Sequence, residues 1–214
     1  MGAIARNIAN NITTSGVFTP SALNSSSVTG ITVLANASDG ITFISSQTAS
    51  NSASISFTSG LTSTYKAYRF LFSNCHPRTD NVNFTFNLSI DGGSNYNVTK
   101  TGTMLLAYHS EGDLSGLDYE SAVDLNQSTA FGQLSGGTGN GADESCSGYF
   151  TLFNPSSTTY VKQYIGVIND YQVNDYSMNR FVTGYANTTS AVNAIRFQMS
   201  SGNFDGTIYM YGIK

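Results

Sequence analysis

The sequence predicts an all-β fold, an antiparallel β-sandwich of jelly-roll type with an N-terminal arm. Three observations carry that expectation. The first is composition. Of 214 residues only 10% are charged while 40% are hydrophobic, with 13 Tyr and 13 Phe. That hydrophobic share is too high for a disordered chain. The polar remainder is mostly Ser, Thr and Asn, whose side chains bond locally and compete with helix, together with Gly. Aromatic and β-branched residues suit pleated surfaces. The second observation is period-two alternation, and the third is the turn signals that separate one alternating run from the next. A chain of this length buries roughly 70% of the surface its unfolded form exposes, which is enough for a proper core.

Residues 1–27 form the arm. Ile4, Ile8 and Ile12 recur at a spacing of four, with Ala5 and Ala9 between them, which describes one face of a short helix that Gly16 can end. An isolated helix of about ten residues is marginal in water, so the segment needs a partner surface or orders on binding. Residues 13–27 read as a linker. Ile4, Ile8, Ile12, Val17 and Phe18 are the candidate docking residues of the arm.

The β-domain is expected from residue 28 to 214. Its clearest strand is 82–90, where Val82, Phe84, Phe86, Leu88 and Ile90 face one way and Asn83, Thr85, Asn87 and Ser89 the other. That pattern predicts a half-buried antiparallel strand. The stretch Asp-Gly-Gly-Ser-Asn at 91–95 then reads as a hairpin loop leading to a strand from Tyr96. Further strands are expected at 30–34, 41–46, 53–58, 65–73, 100–109, 147–153, 160–169, 178–187, 192–200 and 205–213. A helical pattern is also present at 117–126. The interval 110–146 reads as one long irregular stretch with a cluster of acids at 111–124 (Glu111, Asp113, Asp118, Glu120, Asp124) and a glycine-rich run at 136–141. Long insertions between strands sit at the surface and often contact partners.

The chemistry-bearing residues are few. The histidines are His76 and His109 and the cysteines Cys75 and Cys146. A Cys-His nucleophile needs its base within hydrogen-bond reach. Cys75 and His76 are adjacent, so on a strand they point to opposite faces. The two cysteines read as small buried residues or as a disulfide. The glycine run lacks the Gly-Lys-Ser/Thr ending of a phosphate cradle and reads as a flexible loop. The acid cluster matches no EF-hand spacing. A glycosidase needs two carboxylates across a cleft, and Asp118, Glu120 and Asp143 offer no more than any acidic surface does. No catalytic residue, metal ligand or cofactor is expected. Nine Lys and Arg in a chain of net charge −4 form no basic stripe, so neither nucleic acid nor an anionic membrane is an expected partner. No run approaches 18 apolar residues, and residues 1–8 lack the apolar core of a signal peptide. Tyrosines remain. Tyr108, Tyr119, Tyr171 and Tyr176 fall near strand ends or loops, where a large ring with a polar tip suits partner or glycan contact.

Several stretches carry a resemblance. They are Gln-Thr-Ala-Ser at 47–50, Ser-Ile-Ser-Phe-Thr-Ser-Gly-Leu-Thr-Ser-Thr-Tyr at 54–65, and Tyr-Arg-Phe-Leu-Phe at 68–72. His76-Pro77, Ser-Ile-Asp-Gly-Gly-Ser-Asn-Tyr at 89–96 and the closing run at 199–214 join them. With the opening Met-Gly-Ala-Ile-Ala-Arg-Asn-Ile, they resemble structural proteins of tailed, mostly marine bacteriophages. The resemblance implies a non-enzymatic component of the virion surface, made in the host cytoplasm and docked by its arm on a major capsid protein or tail component. Capsid decoration (a cement role) is the placement put first. The other is a tail or head fibre, a receptor-binding protein that recognises host surface glycans. Such modules commonly cover their sheet edges as homotrimers, so a symmetric oligomer is expected.

Overall fold

The computed structural model describes residues 40–214. The arm at 1–27, its candidates Ile4, Ile8, Ile12, Val17 and Phe18, and the expected strand at 30–34 lie outside the described residues. The fold is all-β and sandwich-like, with antiparallel sheets that do not close into a barrel. The strands are β1 (Ile41–Ser52), β2 (Ile55–Phe57), β3 (Ala67–Pro77), β4 (Phe84–Ser89), β5 (Lys100–Ser110), β6 (Ser115–Tyr119) and β7 (Leu125–Ser128). They continue with β8 (Gly132–Gln133), β9 (Cys146–Phe153), β10 (Lys162–Gln172), β11 (Tyr176–Ala186), β12 (Ala194–Met199) and β13 (Phe204–Ile213). A nine-stranded sheet runs β1-β13-β3-β9-β10-β11-β5-β6, with β7 also on β5. A four-stranded sheet runs β2-β12-β4-β8.

Alternation explains how the sheets meet. Phe70 and Phe72 of β3 point inward while Leu71 between them is exposed. Phe84 and Phe86 of β4 and Phe197 of β12 point at them from the smaller sheet. Phe72 packs edge-on to Phe197 with centroids 5.0 Å apart, and Phe86 meets Phe150 of β9 at 4.5 Å. Such pairs add about 0.5–1.5 kcal/mol each beyond their buried area.

Strand β4 corrects the expectation of a half-buried strand. Both of its faces are buried, and Ile90, expected inward, is exposed just past the strand's end. The polar face is satisfied by neighbours. Thr85 donates to the Gln198 carbonyl at 2.8 Å, and Asn87 Nδ2 donates to the carbonyls of Tyr96 and Thr129 at 2.7 and 3.0 Å. The expected hairpin is also absent. Residues 91–95 do turn, held by the Asp91 carboxylate, which accepts from Ser89 Oγ and from the Asn95 backbone and side chain. Those bonds hold Asp91 down at about 2. The chain then crosses to the larger sheet. Residues 96–99 form no strand, and β4 pairs with β12 and β8 instead of β5. A local turn signal fixes the reversal, but pairing goes to whichever strand the core brings alongside.

The interval 110–146 is not one irregular stretch, and its helical pattern at 117–126 is not a helix. It forms β6, a single 3-10 turn (Ser121–Val123), β7 and β8. The reason is the open edge of β5, whose backbone groups offer ladder partners that a short, weak helix cannot outbid. The glycine run is no loose loop. Gly137 N donates to Asn83 Oδ1 at 3.0 Å, Thr138 exchanges backbone bonds with Val82, and Val173 N donates to the Gly137 carbonyl.

Candidate functional site

Strand β5 pairs with β11, and β11 with β10, so the β5–β6 and β10–β11 turns lie side by side at one end of the larger sheet. Glu111 N donates to the Asp175 carbonyl at 3.1 Å and ties the two turns together. Asp113 and Asp175 sit in the left-handed region (φ 64° and 63°), a conformation that Asp tolerates better than most residues. The result is a stiff tip carrying three of the sequence-selected tyrosines. Tyr108 and Tyr176 share one face, edge to face at 5.7 Å, and line a shallow cleft of about 260 Å³ with Leu114, Gln172 and Met178.

Tyr171 lies on the opposite face. There a cleft of about 550 Å³ is lined by His109, Glu111, Asn169, Tyr171, Asp175 and Ser177. The Tyr171 hydroxyl donates between the carboxylates of Asp175 and Glu111, at 3.2 and 3.3 Å. Desolvation and those acceptors push its phenol up to about 12, so it stays a neutral donor. Tyr119 stands apart from the tip on β6. Its hydroxyl donates to the Asp124 carboxylate beside a third cleft of about 480 Å³, which Thr101, Asn126, Thr183 and Tyr185 also line.

The candidate catalytic residues do not converge. Cys75 is buried opposite Cys146 across β3 and β9, and both thiols are free. The neighbouring Cys75 thiol and burial push the Cys146 thiol well above its usual range. His76 Nδ1 donates to the Glu144 carbonyl at 2.6 Å. His109 reaches Asp113 at 3.3 Å in solvent at the tip. Asp118 and Asp143 are exposed and Glu120 is half-buried, and no three His, Cys, Asp or Glu side chains gather as a metal site among the described residues.

Sequence reasoning missed the buried charges. Arg180 Nε donates to Asp170 Oδ1 at 2.7 Å and its Nη2 to the Gly136 carbonyl at 2.7 Å, behind the tip. Asp170 Oδ2 has no hydrogen-bond partner among the described residues. Burial outweighs the guanidinium and lifts this carboxyl to about 6. Lys100, fully buried, donates to Asn87 Oδ1 at 2.6 Å and to the Val98 carbonyl at 2.8 Å, and burial lowers its ammonium to about 8. The signal was parity. Asp170 falls in step with Ile168 and Tyr164 on β10, so it had to face inward.

No protein-family model, no curated protein and no solved structure matches this chain.

Proposed function

We propose that this chain is a non-enzymatic structural protein of the surface of a tailed-phage virion, a jelly roll held to the particle by residues 1–27. The observation that carries the reading is the strand order. The first strand lies beside the last, β2 beside β12, and β1-β13-β3-β9 and β2-β12-β4-β8 form the two sheets. That nesting supports the jelly-roll reading, an architecture recurrent in viral capsid and lectin domains. The segments β5–β7 and β10–β11 are then insertions that widen one sheet and build the tyrosine-bearing tip. The step from fold to particle is by analogy, joined to the phage-like stretches at 47–98 and 199–214. Capsid decoration is the placement we put first, with a symmetric oligomer, a homotrimer, as the assembled form. Deleting residues 1–27 should abolish incorporation into particles while leaving the β-sheet circular-dichroism signal intact. Normal incorporation of the truncated chain would sink the docking role.

The tip favours a second reading, receptor binding. Tyr108 and Tyr176 pack at right angles at the rim of an open cleft, a surface that sugar rings can stack on. In that case the paired change Tyr108→Ala with Tyr176→Ala removes binding on a host-glycan array. An array blank for the unaltered protein counts against it.

A further inference from the structure

The outer face of the nine-stranded sheet carries an apolar row that runs across strands. Tyr209 of β13 lies opposite Leu71 of β3, and Leu71 opposite Tyr149 of β9. From Tyr149 the same row passes through Val167 of β10 to Phe181 of β11. It ends through Leu105 of β5 on Tyr119 of β6. Every member has the parity that points away from the aromatic core. Leu71, Phe181, Leu105 and Tyr119 are 40%, 45%, 47% and 55% exposed. The neighbouring row adds Ile165, and Phe43 edge-on to Tyr211 at 5.7 Å. On the other flank Leu117 of β6, 74% exposed, sits beside Ala107. Isolated exposed apolar residues are ordinary, but a registered row of them spanning the sheet marks a contact surface.

Size and charge identify the occupant. Strands lie about 4.8 Å apart and same-face rows about 7 Å apart, so the row and its flanks cover roughly 30 by 20 Å. That footprint is of the order of the ~800 Å² per partner that a standard stable interface buries. Arg69 is the one charged side chain among the described residues of these rows. It stacks on the Tyr149 ring at 4.6 Å and donates to Thr151 at 3.1 Å. A face with so little charge can meet its own copy with only the Arg69 guanidinium to cover, and that group already rests on Tyr149 and Thr151. Glycan recognition needs directed polar groups beside each ring, whereas here Leu71, Val167 and Leu105 fill the places between the rings.

We propose that this face is the contact through which copies of the chain associate. The inference rests on the symmetric-oligomer reading and adds the surface that serves it. The test is light scattering on the full-length protein. The unaltered chain should show a multiple of its 22.8 kDa mass. The pair Leu105→Lys with Phe181→Lys should run as a monomer with its β-sheet circular dichroism retained, and Leu114→Lys, at the tip, should stay assembled. The milder Phe181→Thr, matching the neighbouring Thr183, should raise the dissociation constant about tenfold or more. An oligomer indifferent to all of these changes overturns the face and leaves the oligomer standing. A monomeric unaltered chain overturns both but not the particle role, and if an insoluble polysaccharide retains it through Phe181, the face passes to glycan.

Discussion

Asp170 shows how much one buried residue can constrain a strand. Its carboxyl lies buried with the Arg180 guanidinium on one oxygen, and the other oxygen has no hydrogen-bond partner among the described residues. The folded group holds its proton up to about pH 6, against an ordinary value of 3.8. Its stabilising share is therefore complete below pH 4 and is lost as pH rises through 6. Arg180→Met strips away the one cation that eases the ionised form. We expect a loss of about 3–5 kcal/mol at pH 7, as for other buried charges left without a partner. The deficit should shrink toward pH 4, where the carboxyl is protonated in both proteins. Urea unfolding at the two pH values checks this, and an equal deficit at both would contradict it. The parity of Asp170 was readable in the sequence. Its partner was not, because Arg180 belongs to the next strand and the register of that hairpin is settled by packing.

At the scale of elements, alternating runs became strands in most places because the pattern and the propensity agree. β10, β11, β12 and β13 lie within a few residues of where alternation puts them. The exceptions share a cause. The segment 117–126 reads as helical, 91–95 as a hairpin loop and 136–141 as a flexible loop, and each takes its form from the strand that meets it or its neighbour: β5 beside β6 and β7, β12 and β8 beside β4, and Val82 beside Thr138. The glycine run is the clearest case. Gly137 takes a left-handed φ of 69°, and Thr138 beside it bridges Val82 and Gln172. A side chain there would be strained and would press on Gln172. Gly137→Val should cost about 1–3 kcal/mol, the range for a β-branched residue forced into that region. Gly137→Asn, which tolerates it better, should cost visibly less. Thermal unfolding of the two variants distinguishes this account from that of a loose loop, which would accept both.

At the scale of the whole molecule, the two sheets share one aromatic core, and among the described residues nothing packs on the wide outer face of the larger sheet. Each row member reads in sequence as an ordinary outward position on its own strand. Tyr149, Val167 and Phe181 are far apart along the chain, and only the pairing of β9, β10 and β11 aligns them. The tip obeys the same logic. Tyr108, Tyr171 and Tyr176 could be selected by type and position, yet their meeting at one end of the sheet, and the separation of Tyr119 from them, follow from β5 lying against β11.

By itself the sequence determined the all-β class, the approximate places of most strands and, on the cleanly alternating ones, which side chains share a face. Those properties are local, set by period-two alternation and by backbone propensity. The tertiary structure decided which strands are neighbours. It thereby decided the burial of both faces of β4, the Asp170–Arg180 pair, the tyrosine tip and the apolar row. Strand order depends on contacts between residues distant along the chain, and those are settled when two sheets compete to bury the same aromatic core.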